Sequence, residues 1–158
     1  MKEIALKFKK GEQIIRNIDY FSHMLYPLMK DKKLIQKLYF DLERTCKIII
    51  ECVLLYEYKY KRISNFNLSI DLFKKVSKRF NIDGEEIKLI EEIINKANEI
   101  KNSQVDFLKK EKYVALRNKQ YSLITIDEIK NSLEKIKKIY KKIKENFGKD
   151  LLISKYLK

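Results

Sequence analysis

The residues of this 158-residue chain best suited to chemistry lie in Tyr113-Val-Ala-Leu-Arg-Asn-Lys-Gln-Tyr-Ser-Leu-Ile-Thr125. There the helical pattern breaks, and an arginine stands beside an asparagine just before a strongly patterned helix. Arg117-Asn118 could feed a nucleolytic site, with the guanidinium on a phosphate, if a histidine lay about a turn downstream for proton transfer. The single histidine of the chain is His23. It sits among Tyr20, Phe21, Met24, Leu25 and Tyr26, where a core or boundary role is expected before a catalytic one.

Other site chemistries find even less. Di-metal carboxylate bundles need two Glu-x-x-His pairs, which one histidine cannot supply. Glu85-Glu86 and Glu91-Glu92 read as a solvated helix face. No glycine-rich phosphate loop occurs. Cys46 and Cys52 are six residues apart in one helix, on different faces and too far apart to bridge. No Cys-x-x-Cys or Cys/His cluster suggests zinc. Neither a metal nor a cofactor is expected, and two unpaired thiols suit a reducing cytoplasm.

What remains is charge. Lys and Arg total 36 against 22 acidic residues, a formal +14. Such an excess attracts nucleic acid or anionic surfaces. Nearly all of it is lysine, however, with Arg only at 16, 44, 62, 79 and 117. A Lys/Ile/Asn/Tyr-rich composition also follows from A/T-rich coding, and Lys/Glu enrichment marks thermophiles. The last helix concentrates the excess in Lys130, Lys135, Lys137, Lys138, Lys141, Lys142 and Lys144. It could lie along a nucleic-acid backbone or simply be solvated. Tyr56, Tyr58 and Tyr60 beside Lys59, Lys61 and Arg62 could stack bases. The competing expectation makes Tyr56 and Tyr60 core residues and leaves only Tyr58 exposed.

The elements that must position these groups are helical. With 3 Gly and 1 Pro, the chain is poor in turn formers, which argues for a few long helices. The apolar periodicity predicts helices over about 3–29, 32–62, 68–80, 84–101 and 126–147. Pro27 should kink or end the first, and Asp31 and Asp83 should cap the second and fourth. In the second, Ile35, Leu38, Leu42, Cys46, Ile49, Val53, Tyr56 and Tyr60 form a bundle seam. Thr125-Ile-Asp-Glu128 reads as a capping box for the last helix, and Gly148 as its stop. Tyr113–Leu116 and Gln120–Ile124 are short β-prone runs, read as an extended or hairpin-like excursion near 112–124 ahead of the alternative, a loop entering a short helical turn at Arg117. The expected fold is all-α: one domain over 1–158, an antiparallel bundle of four to five helices. The apolar tail 149–158 would dock on the bundle or on a partner. The charged N-terminus does not read as a signal peptide, and no run approaches a membrane span, so a cytoplasmic protein is expected.

At Leu116-Arg-Asn-Lys-Gln-Tyr-Ser122 the chain resembles the HEPN superfamily of small helical-bundle proteins. Arg117-Asn118 matches the first half of that family's motif, and the long second, short third and capped last helices match its layout. The resemblance implies a homodimer whose motif Arg and His meet across the interface to cleave RNA. Here Ser122, Leu123 and Ile124 occupy the places open to the His, and none shuttles a proton near neutral pH. A tyrosine phenol, as at Tyr121, is a poor base near neutral pH. The resemblance therefore implies a non-catalytic member that binds RNA or an RNA-handling partner. Arg117, Asn118, Lys119 and Tyr121 would be its ligand residues, and Lys130, Lys137, Lys138, Lys141 and Lys144 a basic platform. Two alternatives stand beside it: a protein-interaction module without nucleic-acid affinity, and a divergent ribonuclease using Arg117 and Tyr121, with His23 brought in by the fold.

Overall fold

The structure, a computed structural model, describes residues 2–65 and 67–148. Helix α1 spans Lys2–Tyr20, passes through a wide π-helical turn at Phe21–Leu25, and continues as α2, Tyr26–Met29. The wide turn sits where Pro27 demands it. A proline lacks the amide proton of an ordinary helical step, and the Tyr26 amide bonds back to the Phe21 carbonyl, five residues earlier. Helix α3 runs Lys32–Lys59, with Asp31 accepting from the Lys33 amide as its cap. Helix α4, Ile70–Val76, runs into a 3-10 turn at Ser77–Phe80, and α5 spans Gly84–Lys101. Asp83 and Glu86 close a full capping box on α5. At the start of α6, Ile126–Phe147, Thr125 accepts from the Glu128 amide, but the Glu128 carboxylate takes Lys96 of α5 at 2.8 Å instead of completing the expected box.

Helix α3 is the centre. Its seam from Ile35 to Tyr56 is buried throughout, and Ile48, Ile50 and Leu54 extend the buried surface around it. Neighbouring helices alternate in direction. Lys7 near the start of α1 donates to Glu51 near the end of α3 (3.0 Å), while Lys37 near the start of α3 stands over the Phe21 ring just past α1. Arg79, ahead of α5, reaches Glu57 near the end of α3, and Lys101 at the close of α5 reaches Glu43. Helix α6 then runs back along both flanks, pairing Glu128 and Lys142 with α5, and Lys137 and Lys144 with α1.

One polar knot locks the lower end. The Glu57 carboxylate is fully buried. Its Oε1 accepts from Arg62 at 3.1 Å, and Arg79 lies 3.4 Å from Oε2 as an ion pair without hydrogen-bond geometry. A buried carboxylate needs such partners, because a buried charge left without one is destabilising.

The all-α expectation is corrected between α5 and α6. Residues 105–125 form a three-stranded antiparallel sheet: β1 Val105–Lys109, β2 Lys112–Arg117 and β3 Gln120–Thr125, in the order β1-β2-β3. The extended or hairpin-like excursion expected near 112–124 is the β2–β3 hairpin, not a helical turn at Arg117, and β1 extends it by a strand. Leu108 pairs with Tyr113, and Tyr113 with Ile124, so one face of the sheet lies on the helices, with Tyr113, Ala115 and Ile124 buried. The Asp106 carboxylate ties this face to α3, accepting from the Tyr113 hydroxyl (2.7 Å) and from Lys32 (3.2 Å). The tail 149–158 lies outside the described residues.

Candidate nucleic-acid interface

Arg117 and Gln120 are the last paired residues of the β2–β3 hairpin, and Asn118-Lys119 is its two-residue turn. Both turn residues have positive φ, 46° and 67°. That is the type I′ geometry that matches strand twist, and asparagine is one of the residues that tolerates it. Asn118 thus has a structural task. Arg117, Asn118, Lys119, Gln120 and Tyr121 gather with Glu99 and Ser122 around an open concavity of about 600 Å³. The four expected ligand residues therefore share one place. Among the described residues, their side chains form no hydrogen bond or ion pair, while Glu99 accepts from the Ser122 hydroxyl at 2.6 Å.

The expected lysine platform is split by the helix that carries it. Lys137 and Lys144 face α1 and are spent on Asp19 (3.2 Å) and Glu12 (3.5 Å). Lys142 faces α5 and holds Glu86 at 2.6 Å. Lys130, Lys135, Lys138 and Lys141 carry no such pair among the described residues, and the last three are exposed. Across the α1–α6 groove, about 350 Å³ in volume, Arg16 joins Lys137, Lys141 and Lys144 on walls that also include Glu12 and Tyr140. Arg16 donates to Gln13 (2.8 Å) and has no acidic partner among the described residues. The sequence reading missed Arg16; its position four residues after Glu12, on the face that meets α6, was the available signal. Lys137 lies eleven residues into α6, so about 16 Å of helix separates the groove from the sheet end. The hairpin tip and the groove are two places, not one.

His23 is not brought to Arg117 by any contact. It is half-exposed in the π-helical turn, with Nδ1 3.2 Å from an Asp19 carboxylate oxygen and 2.9 Å from the Asp19 carbonyl. Ser22 Oγ approaches the same ring nitrogen at 3.2 Å. A serine relay needs serine and aspartate on opposite nitrogens of the imidazole, so this trio is a boundary cluster.

Tyr56 is buried and its ring stacks on Phe147 at 4.6 Å. Tyr60 is exposed along with Tyr58, against the expectation of a core position. Its place past the end of α3 takes it off the seam. Both cysteines are free and buried. Among the described residues, no group of His, Cys, Asp and Glu could hold a metal ion, and no helix is long and apolar enough to cross a membrane.

Comparison with protein-family models, with curated proteins and with solved structures finds no match for this chain.

Proposed function

We propose that this protein is a non-catalytic, RNA-binding accessory module that holds the phosphate backbone on the α6 ridge and across the α1–α6 groove. One observation carries the reading. Most acidic groups of the helices are matched by cations, yet among the described residues Lys135, Lys138 and Lys141 form no ion pair along α6; Arg16 faces Lys141 over the α1–α6 groove, and Lys135 and Lys138 border the α5–α6 groove, whose walls include Asp83, Glu85 and Glu86. Unpaired, exposed cations in a row suit a polyanion, because each phosphate they neutralise releases counterions. The hairpin tip adds Arg117 and Lys119 as a second cationic surface. The HEPN resemblance points to the same ligand class. Catalysis is not part of the proposal: the ionisable side chains lining the hairpin concavity are Glu99, Arg117, Lys119 and Tyr121, with Glu99 engaged by Ser122.

Fluorescence anisotropy with a labelled RNA, titrated with salt, tests it. Affinity should fall with rising salt, and Lys138→Glu with Lys141→Glu should flatten the log–log slope by about 0.7–0.9 for each phosphate left without its lysine. Undetectable affinity at low salt, or binding without a salt slope, would refute it.

A protein-interaction reading, including the homodimer, has its own observation. Tyr20, Met24 and Leu28 recur every four residues along α1–α2 and are 59, 60 and 83% exposed. Such a stripe suits a helical partner or a second copy. Light scattering of a Met24→Glu/Leu28→Glu variant tests it: an oligomeric state equal to that of the wild type refutes self-association through this stripe.

A further inference from the structure

The outward face of the sheet is as apolar as the inward one. By the strand register, Val105, Leu116 and Tyr121 form one row across the three strands, and Phe107, Val114 and Leu123 the next. The helices bury the opposite face, and at the β3 edge Tyr121 and Leu123 also border a cleft with Lys96 and Glu99 of α5. Val105 and Tyr121 are 56 and 66% exposed, and Phe107 and Leu116 more than a third. An antiparallel sheet with one solvated face ordinarily alternates apolar and polar residues, so this face is built to be covered.

The charges around it indicate by what. The third outward row begins Lys109–Lys112, and the two turns add Lys110 and Lys119. The acidic groups nearby are engaged: Glu111 pairs with Lys30 at 2.6 Å, and Asp106 points inward to Tyr113 and Lys32. A second copy laid face to face would set one basic rim against another. A single-stranded nucleic acid brings what the face lacks: phosphates for the rim, and flat apolar rings for the centre. Phe107 and Tyr121 stand diagonally, two strands and two residues apart, or about 12 Å. That spacing suits bases splayed along an extended strand, and aromatic side chains on a sheet are a recurrent stacking platform.

We propose that the outer face of the β1-β2-β3 sheet binds single-stranded nucleic acid by stacking its bases on Phe107 and Tyr121. The proposal rests on the polyanion reading above and narrows its ligand to unpaired strands. Because both rings are exposed, replacing them should leave the core intact, which circular dichroism checks. The full-length protein is titrated with a short labelled single-stranded RNA and with the same sequence as a duplex. The wild type should prefer the single strand. Phe107→Ala/Tyr121→Ala should lose at least about tenfold in single-strand affinity, with an unchanged salt slope and unchanged duplex affinity. Equal single-strand affinity of that variant and the wild type would overturn this inference while leaving backbone binding in place. An absence of binding to either RNA by the wild type would overturn the underlying reading as well. A variant that changes oligomeric state but not RNA affinity would assign the face to a protein partner and overturn the inference.

Discussion

Replacing Gly11 by alanine should destabilise the protein, although helix propensity alone says the reverse. Gly11 lies inside α1, where an alanine would gain about 1 kcal/mol. But a Cβ there would sit 1.7 Å from Tyr140 Oη, 2.8 Å from its Cζ and 3.2 Å from Ile48 Cγ2. Tyr140 has little room to yield. It is 5% exposed, its ring lies 4.4 Å from that of Phe8, and its hydroxyl donates to the Phe8 carbonyl at 3.4 Å. Forcing it aside costs about 1–3 kcal/mol of overpacking and about 1 kcal/mol for the displaced hydroxyl bond. After the propensity gain, a net loss of about 1–3 kcal/mol remains, which urea unfolding can read. For a domain of this size each kcal/mol lowers Tm by about 2–4 °C. Tyr140→Phe removes the atom of closest approach, so Gly11→Ala should cost less in that background, with a coupling above about 0.5 kcal/mol. The reasoning is refuted if Gly11→Ala raises stability by about 1 kcal/mol, or if the two substitutions simply add.

Two further outcomes follow from ionisable groups within the fold. The Tyr113 hydroxyl, and after it Lys32, holds the Asp106 carboxyl below the usual carboxylate range against the opposing effect of burial. A carboxyl depressed in the folded state contributes stability that is fully present above its unfolded pKa near 3.8 and is lost as pH falls through the folded value. Urea unfolding at pH 7 and at about pH 2.5 should therefore show a smaller acid loss in Tyr113→Phe than in the wild type; equal losses would dismiss the Asp106 contribution. Burial pushes the Cys52 thiol up to about 12 and raises that of Cys46 as well. Because the thiolate is the reactive form, an aromatic disulfide reagent at pH 8 should label neither cysteine in the native protein and both in denaturant. Stoichiometric native labelling would contradict the burial.

The helices were legible because their signals are local. The seven-position stripe of α3 and the caps Asp31, Asp83 and Thr125 are written in consecutive residues. The boundaries agree to within a few residues, and at Pro27, expected to kink or end the helix, the chain passes through a wide turn and continues to Met29. The sheet was harder for a specific reason. Both its turns are type I′, yet neither contains glycine: Lys110-Glu111 and Asn118-Lys119 carry the positive φ values. Lysine and glutamate in the left-handed region cost about 1–2 kcal/mol each, so a chain with 3 glycines reads as one that avoids hairpins, and β1 went unassigned. Its alternation, Val105-x-Phe107, is too short to outweigh that.

The candidate site divides in the same way. Sequence alone named Arg117, Asn118, Lys119 and Tyr121, because a polar break before a capped helix is visible without coordinates. It also saw that the last helix is basic. It did not tell which lysines are free, since Lys137, Lys142 and Lys144 are neutralised by Asp19, Glu86 and Glu12, all remote in the chain. Nor did it tell which face of the hairpin is covered. Periodicity records that a side chain alternates, but which side meets α3 and α5 is set by packing. Composition, capping and periodicity are properties of neighbours in sequence, and they determined the helices and the charge. Pairing of charges and exposure of a face are properties of neighbours in space, and only the tertiary structure decided them.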